Sequence, residues 1–360
     1  MKLGVLGREL QGSGGTRSYL HNVLPHLSEE WDDELVLFSS GDQPAQLGCG
    51  ATHVDTKTDT PVVSDHLIVP YLLRRKEIDI SWFPKNVIPV GYDGPAVVTI
   101  HDLGYFVDAA YYPLLDRLYM KRMVRNACRR ADRIIAVSHH TKQDIVAHTN
   151  AAPEDVTVIY HGVSDRFRTN PPTADLERFS DRYDLSGCTI YGGNVGRRKN
   201  IATLISSLTG SSILQKNDVD LVFTGANPSP RQAEAIDARE WVRYLGYIDD
   251  TALPLLYRNA TAFVYPSLYE GFGLPLLEAM ASGTPVVASN ATSIPEVVGD
   301  AALLVDPNDA EEMRKAIESV VTDEEINRWL INRGRNRSRK FTWEKTAQQL
   351  VATFLGVDGS

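Results

Sequence analysis

Residues 262–288 constrain the fold more than any other part of this chain. An apolar run, Ala262 to Tyr265, ends in a turn at Pro266-Ser267. Glu270 and a loop with Gly271 and Gly273 follow. A helical pattern then runs from Leu274 to Ser282, with Gly283 placed to stop it. Thr284 to Ala288 reads as a buried, valine-rich strand. Strand, glycine loop, helix and strand make a βαβ unit. Its loop falls at the carboxyl end of the first strand, where open α/β sheets bind ligands.

The chemistry of that loop suits a polyhydroxylated, phosphate-bearing ligand. Gly271 and Gly273 let backbone amides approach closely, and the helix N-terminus adds a partial positive charge. Glu270 stands before the helix and Glu278 within it, roughly one turn deeper. Two ionised carboxylates can accept hydrogen bonds from sugar hydroxyls, as an acidic residue does for a ribose in dinucleotide folds. The same residues also suit a plainer reading, with Glu278 on a solvated face and Glu270 answering the helix dipole.

The run EGFGLPLLEAMASGTPVV, followed by IPEVVGDAALLVDP, resembles the signature of the retaining GT-B glycosyltransferases, glycosyltransferase family 4 or group 1. The resemblance implies an α/β chain of two Rossmann-like domains facing an interdomain cleft. It puts Glu270 against the donor sugar and Glu278 on the nucleotide ribose. The backbone of Gly271, Phe272, Gly273 and Leu274 would contact the sugar and diphosphate.

Bulk properties agree with such a chain. At 360 residues it suits two domains of about 150–180 residues each. Its hydrophobic content of 43% is that of an ordinary globular protein. A net charge of −9 argues against general nucleic-acid binding. No window reaches the ~20 apolar residues of a transmembrane helix. MKLGVLGREL reads as a first strand rather than a signal peptide. Cys49, Cys128 and Cys188 are scattered, form no metal-ligand spacing, and suggest a reducing cytoplasm.

In chain order, Lys2 to Leu6 reads as a strand, Gly12 to Gly15 as a glycine loop, and Thr16 to Leu27 as an amphipathic helix. By resemblance Gly14 and Gly15 meet the donor diphosphate, with Thr16 beside them. Further strands are read at Leu35 to Phe38, Ile78 to Phe83 and Ala96 to Ile100, and a helix at Ser64 to Arg75; residues 39–63 carry turn composition only. The strand ending at Ile100 meets His101-Asp102. A histidine there either lines a ligand cleft or caps the strand; the resemblance puts His101 beside the donor sugar and acceptor, with Asp102 next to it as a candidate acceptor contact. Leu115 to Arg130 reads as a helix, and from Arg117 to Arg133 the chain carries seven cations against Asp132 alone. That cluster is either a solvated face or a contact for an anionic membrane surface or lipid-diphosphate acceptor.

His161-Gly162-Val163 resembles the family's turn closing the first domain, with histidine in place of asparagine, and 168–173 has linker composition. Thr189 to Tyr191 reads as a strand, and Gly192 to Asn200 as a glycine-rich, cationic loop opening a helix. Such a loop is an anion site. By resemblance Arg198 and Lys199 neutralise the donor diphosphate. Asn194 stands where some members have arginine, which leaves Arg197 or Arg198 as the main phosphate ligand. Gly246-Tyr247-Ile248 resembles the loop meeting the nucleobase, giving Tyr247 a donor-binding place. A helix is read over Asp249 to Asn259.

The expected domains are 1–168, the acceptor domain, joined by the terminal segment 341–360, and 169–340, the donor domain. The expected reaction is transfer of a hexose from a nucleotide diphosphate sugar to a hydroxyl of a glycan or lipid-linked acceptor, with retention, without cofactor or metal. His101, Glu270, Arg198 and Lys199 would be the catalytic residues. GDP-mannose is the first expected donor and UDP-glucose or another UDP-hexose the second; a non-catalytic sugar-nucleotide-binding module is the alternative from another class. The expected location is the cytoplasm, with peripheral membrane contact through 117–133.

Overall fold

The computed structural model describes residues 1–12, 14–40, 47–56, 64–107, 112–185, 188–211, 216, 219–225 and 228–357, apart from the side chain of Arg197. The chain forms two compact units. The first comprises Met1–Gly162 and the chain from Thr342 onward, and the second Val163–Phe341. Val163 to Arg168 belong with the second. Arg168 donates from Nη2 to the carbonyls of Ser338 at 3.0 Å and Phe341 at 3.2 Å, and Val163 N–H donates to Phe341 O at 3.3 Å.

The first unit is built on seven parallel strands: β1 (Leu3–Leu6), β2 (Leu35–Ser39), β3 (Thr52–Asp55), β4 (Ile80–Phe83), β5 (Ala96–Ile100), β6 (Arg133–Ala136) and β7 (Val156–Val158). They lie in the order β3-β2-β1-β4-β5-β6-β7. β2, β4 and β5 are buried along their whole length, as strands covered on both faces are. The chain winds outward from β1 to β3, then returns to β4, so the topology switches between β1 and β4. β3 falls where the sequence carried only turn composition. It is an edge strand, Thr-His-Val-Asp, with Val54 alone buried, so it lacks the alternation that marks a half-buried strand.

The helix Gly15–Glu30 buries Tyr19, Leu20, Val23, Leu24 and Leu27, the residues its spacing singled out. Against it packs the returning helix Trp343–Leu355, burying Trp343, Ala347, Leu350 and Phe354. Phe354 meets the rings of Trp31 and Trp82, and Thr346 Oγ1 donates to Tyr160 O at 2.7 Å. Gly162 makes room for this return: a Cβ there would lie 2.2 Å from the backbone nitrogen of Trp343.

The second unit carries six parallel strands: β8 (Cys188–Asn194), β9 (Val219–Thr224), β10 (Val242–Tyr244), β11 (Ala262–Tyr265), β12 (Val286–Ser289) and β13 (Leu303–Val305). Their order is β10-β9-β8-β11-β12-β13, with the switch between β8 and β11. β8 is longer than the sequence suggested and runs through Gly192 and Gly193. A Cβ on Gly192 would lie 2.3 Å from the Phe223 ring, so its glycine serves close strand packing rather than a loop. The helix read over Asp249 to Asn259 spans only Leu253–Asn259. Asp249 Oδ1 takes the Thr251 N–H at 2.9 Å in a local turn, and Pro254 fits only the first turn of a helix. The helix Leu274–Ser282 begins after Gly273, at φ +106°, and stops at Gly283, at φ +79°. Both are left-handed positions that favour glycine.

Candidate active site

β8 and β11 flank the switch point of the second unit, and their carboxyl ends carry the cationic loop and the Glu270 loop. The cationic loop is tightly placed. Gln232 Nε2 donates to Gly196 O at 2.9 Å, Asn200 Nδ2 to Pro307 O at 2.7 Å, and Leu268 N–H to Arg198 O at 2.9 Å. Asn200, at φ +54°, turns the chain into the helix Ile201–Leu208. Arg197 lies in the short turn Arg197–Lys199, but its side chain is outside the described residues.

These restraints bring Lys199 onto Glu270. Nζ donates to Glu270 Oε1 at 2.6 Å and to the hydroxyl of Tyr265, whose ring centroid it faces at 4.4 Å. The Arg198 guanidinium sits 5.9 Å from the Tyr269 ring centroid. Glu270 is only 8% exposed. Burial alone would push its carboxyl up, but the charges of Lys199 and Arg198, with the hydrogen bond from Lys199, outweigh it and hold the group below the ordinary glutamate value. Glu270 is therefore an ionised acceptor beside two cations, at the N-terminal end of the helix Leu274–Ser282.

Two residues that sequence reasoning passed over fix this loop from the end of β12. Glu270 N–H donates to Thr292 Oγ1 at 3.1 Å, and Ser293 Oγ lies 3.0 Å from the carbonyls of both Glu270 and Phe272. Thr292 holds φ +55°, a costly conformation for a β-branched residue. Such strain beside a charged pair is a functional signal that residue type alone did not carry. Glu278, on the same helix, accepts from Tyr257 Oη at 3.0 Å. Burial raises its carboxyl to about 7, moderated by that hydrogen bond and the charge of Arg166. Tyr247 follows β10, beyond β9 from the switch point, and its side chain is 66% exposed. No hydrogen bond or ring contact among the described residues joins it to the Lys199–Glu270 pair.

In the first unit His101 directly follows β5, with its N–H bonded to Asn86 Oδ1 at 2.8 Å. Its Nε2 lies 2.7 Å from Pro84 O. A carbonyl only accepts, so Nε2 carries the proton. Burial holds His101 below its ordinary value, so the ring is neutral and Nδ1 is left as an acceptor. His161 stands 5.4 Å away between ring centroids, packed with Tyr19 and Trp343, and burial and the neighbouring His101 hold it well below its ordinary value too. The histidine in place of asparagine thus completes an aromatic cluster behind His101. Asp102 Oδ1 accepts from Gly104 N–H at 2.9 Å, so one of its oxygens serves its own turn. Gly14 holds φ +93° at the start of the helix Gly15–Glu30, and Cβ atoms at Gly14 and Gly15 would meet open space.

Comparison with known proteins agrees with this arrangement. The family model described as glycosyl transferases group 1 matches residues 178–337, and that described as glycosyltransferase family 4 matches 13–167. The chain is 31% identical over 350 residues to O-antigen chain mannosyltransferase B of Escherichia coli, covering 89% of this chain and 90% of that one. It is 32% identical over 273 residues to the serotype-specific mannosyltransferase WbdA of Escherichia coli, covering 72% of this chain and 33% of that one. In fold it is similar to a glycosyltransferase from Rickettsia africae, with a TM-score of 0.76, 16% identity, and coverage of 100% and 99% of the two chains. Anabaena HepE, solved with UDP-glucose, superposes with a TM-score of 0.77 at 18% identity, covering 99% of this chain and 100% of that one. The chain belongs to the group 1, family 4 glycosyltransferases and has the GT-B fold. It is a glycosyltransferase, with mannosyltransferases among its relatives.

Proposed function

We propose that this chain transfers a mannosyl group from GDP-mannose to a hydroxyl of a glycan or lipid-linked acceptor, with retention of anomeric configuration and without a catalytic metal. The observation that carries the reading is the Lys199–Glu270 pair at the switch point of the second unit, with Arg198 beside it. It puts cations for a diphosphate and an ionised carboxylate for sugar hydroxyls in one place. The charge growing on the leaving diphosphate is the main electrostatic demand, and Arg198, Lys199 and the amides at the start of the helix Leu274–Ser282 meet it. Glu278 holds the ribose. Glu270 orients the sugar, the leaving phosphate takes the acceptor proton, and no covalent glycosyl-enzyme forms. The mannosyltransferase names of the relatives favour mannose.

A UDP-hexose donor is the second reading, favoured by the UDP-glucose complex of the structural relative HepE. Turnover of a panel of nucleotide sugars, with and without acceptor glycans, separates the two. Transfer from GDP-mannose with an α-linked product supports the first; an inverted product, or turnover confined to UDP-sugars, refutes it.

The reading extends to the membrane surface. The helix Leu114–Arg130 leaves Leu114, Leu115 and Leu118 exposed, Leu115 at 79%, next to Lys121, Arg122, Arg125 and Arg129. Val90, also exposed, shares a surface hollow with Leu118 and Arg122. Apolar tips among cations suit an anionic bilayer surface. Co-sedimentation with anionic vesicles is the expected result, lost with neutral vesicles and in the variant Leu115→Glu/Leu118→Glu. Equal recovery with both vesicle types would refute the contact.

A further inference from the structure

Between Ser289, the last residue of β12, and Ser293 the chain carries three hydroxyl side chains, and all three bond to the loop that holds Glu270. Ser289 Oγ donates to Ser267 O at 2.6 Å, and Thr292 Oγ1 accepts the Glu270 N–H at 3.1 Å. Ser293 Oγ shares its one proton between the carbonyls of Glu270 and Phe272, at 3.0 Å each. Residues 266–273 lie between β11 and the helix Leu274–Ser282, outside both, so their polar backbone groups need such partners. Ser267, Ser289 and Ser293 are fully buried, and Asn290 N–H ties the segment in turn to Val305 O of β13 at 2.9 Å.

Thr292 differs from the two serines in what it costs. The turn from β12 into the helix Ile294–Val298 takes a left-handed residue, and Thr292 supplies it at φ +55°. Glycine adopts that conformation freely, whereas a β-branched residue does so under strain. Strain of this kind gathers at functional sites, held there by the structure around it. What threonine brings to this turn and glycine cannot is Oγ1, whose hydrogen-bond partner among the described residues is the Glu270 N–H. With Ser293 on its carbonyl, Glu270 is then pinned at both backbone groups. That fixes the direction of its side chain, and so where its carboxylate, beside Lys199, would meet a sugar. A misplacement of about 1 Å at a reacting centre can cost roughly 10²-fold in rate.

We propose that Thr292 is a positioning residue for the donor sugar: its Oγ1 holds the Glu270 carboxylate in register with the sugar hydroxyls and so sets the discrimination between donor epimers. The proposal rests on the nucleotide-sugar reading above and deepens it. The strained turn is kept for the hydroxyl it carries, and the phosphate grip of Arg198 and Lys199 does not depend on it.

The test compares three variants of the whole chain. Thr292→Ser keeps the hydroxyl, Thr292→Gly removes both hydroxyl and strain, and Thr292→Val removes the hydroxyl and keeps the strain. The donors are two epimer pairs, GDP-mannose with GDP-glucose and UDP-glucose with UDP-galactose; GDP and UDP alone report the phosphate grip. Thr292→Ser turns over the preferred donor within about twofold of wild type. Thr292→Gly and Thr292→Val each lose about tenfold or more in kcat. In both, the ratio of kcat/KM between the preferred donor and its epimer falls by roughly threefold or more. Affinity for the nucleoside diphosphate, read by calorimetry, stays within about twofold in all three. Melting temperatures follow a different order, with Thr292→Gly above Thr292→Val, because glycine releases the strain that valine retains. Wild-type turnover in Thr292→Gly or Thr292→Val, an unchanged epimer ratio, or a loss in Thr292→Ser as large as in Thr292→Gly would overturn the proposal. So would a diphosphate affinity that falls in step with turnover, or Thr292→Val melting at or above Thr292→Gly. A wild-type protein that neither binds nor turns over any of the four donors would instead sink the nucleotide-sugar reading itself.

Discussion

Removing the ammonium of Lys199 would leave the carboxylate of Glu270 buried beside Arg198. Glu270 titrates below its ordinary value in the fold, so its ionisation stabilises the protein above the ordinary glutamate range. That contribution is lost as pH falls through the folded value. Lys199→Met should therefore lower the melting temperature at pH 7–8, and the gap to wild type should close in acid. The cost should be about 3 kcal/mol, the low end for breaking a buried pair, because the Lys199 side chain keeps 20% exposure. Adding Glu270→Gln should restore much of the melting temperature but not turnover, which each of Lys199→Ala and Glu270→Ala should cut ~10²-fold as charge-stabilising groups do. Glu278 gives a separate signature. Its carboxyl stands near 7, and ribose hydroxyls would bond its ionised form. Nucleotide-sugar affinity, measured by calorimetry, should thus weaken as pH falls below about 7, with proton release on binding. Glu278→Gln should abolish both the slope and the proton release, and an unchanged slope would remove Glu278 from the ribose site.

Among the elements, Gly162 carries the sharpest prediction. Its missing Cβ is where Thr342 and Trp343 pass. Gly162→Ala must push backbone against backbone, so it should cost at least the ~1–3 kcal/mol of overpacking and loosen the helix Trp343–Leu355 first, seen as faster amide exchange there. Uniform exchange with an unshifted melting temperature would contradict this close approach. The element record also shows what a sequence reveals. The helix Leu274–Ser282 was readable to its last residue because Gly283 supplies a local stop. Glu270 and Lys199 were readable as candidates, but their pairing was not, since 71 positions separate them and only the β8–β11 neighbourhood joins them. Thr292 and Ser293 escaped notice because hydroxyl residues after a strand look like any turn; their role lies in bonds to a distant loop. The edge strand β3 escaped because it buries one side chain.

At the scale of the whole molecule, both units wind in the same way, outward over three strands and back across the first. Each therefore opens a switch point at the carboxyl ends of its strands, where such sheets bind ligands. The restart of strand and glycine loop after Thr189 hinted at this repetition, whereas the strand order is a property of the fold alone. The two openings differ in charge. The second carries Arg198 and Lys199 against Glu270, and the first carries cations matched by carboxylates. On that ground the proposed nucleotide diphosphate sugar is expected at the second. A crystal of the protein soaked with GDP-mannose, and in parallel with UDP-glucose, measures this most directly. The account predicts diphosphate oxygens within ~2.7–3.2 Å of the Arg198 and Lys199 nitrogens, sugar hydroxyls at Glu270 and the ribose at Glu278. A nucleotide sugar seated away from the ends of β8 and β11, with Lys199 bonded only to Glu270, would contradict it.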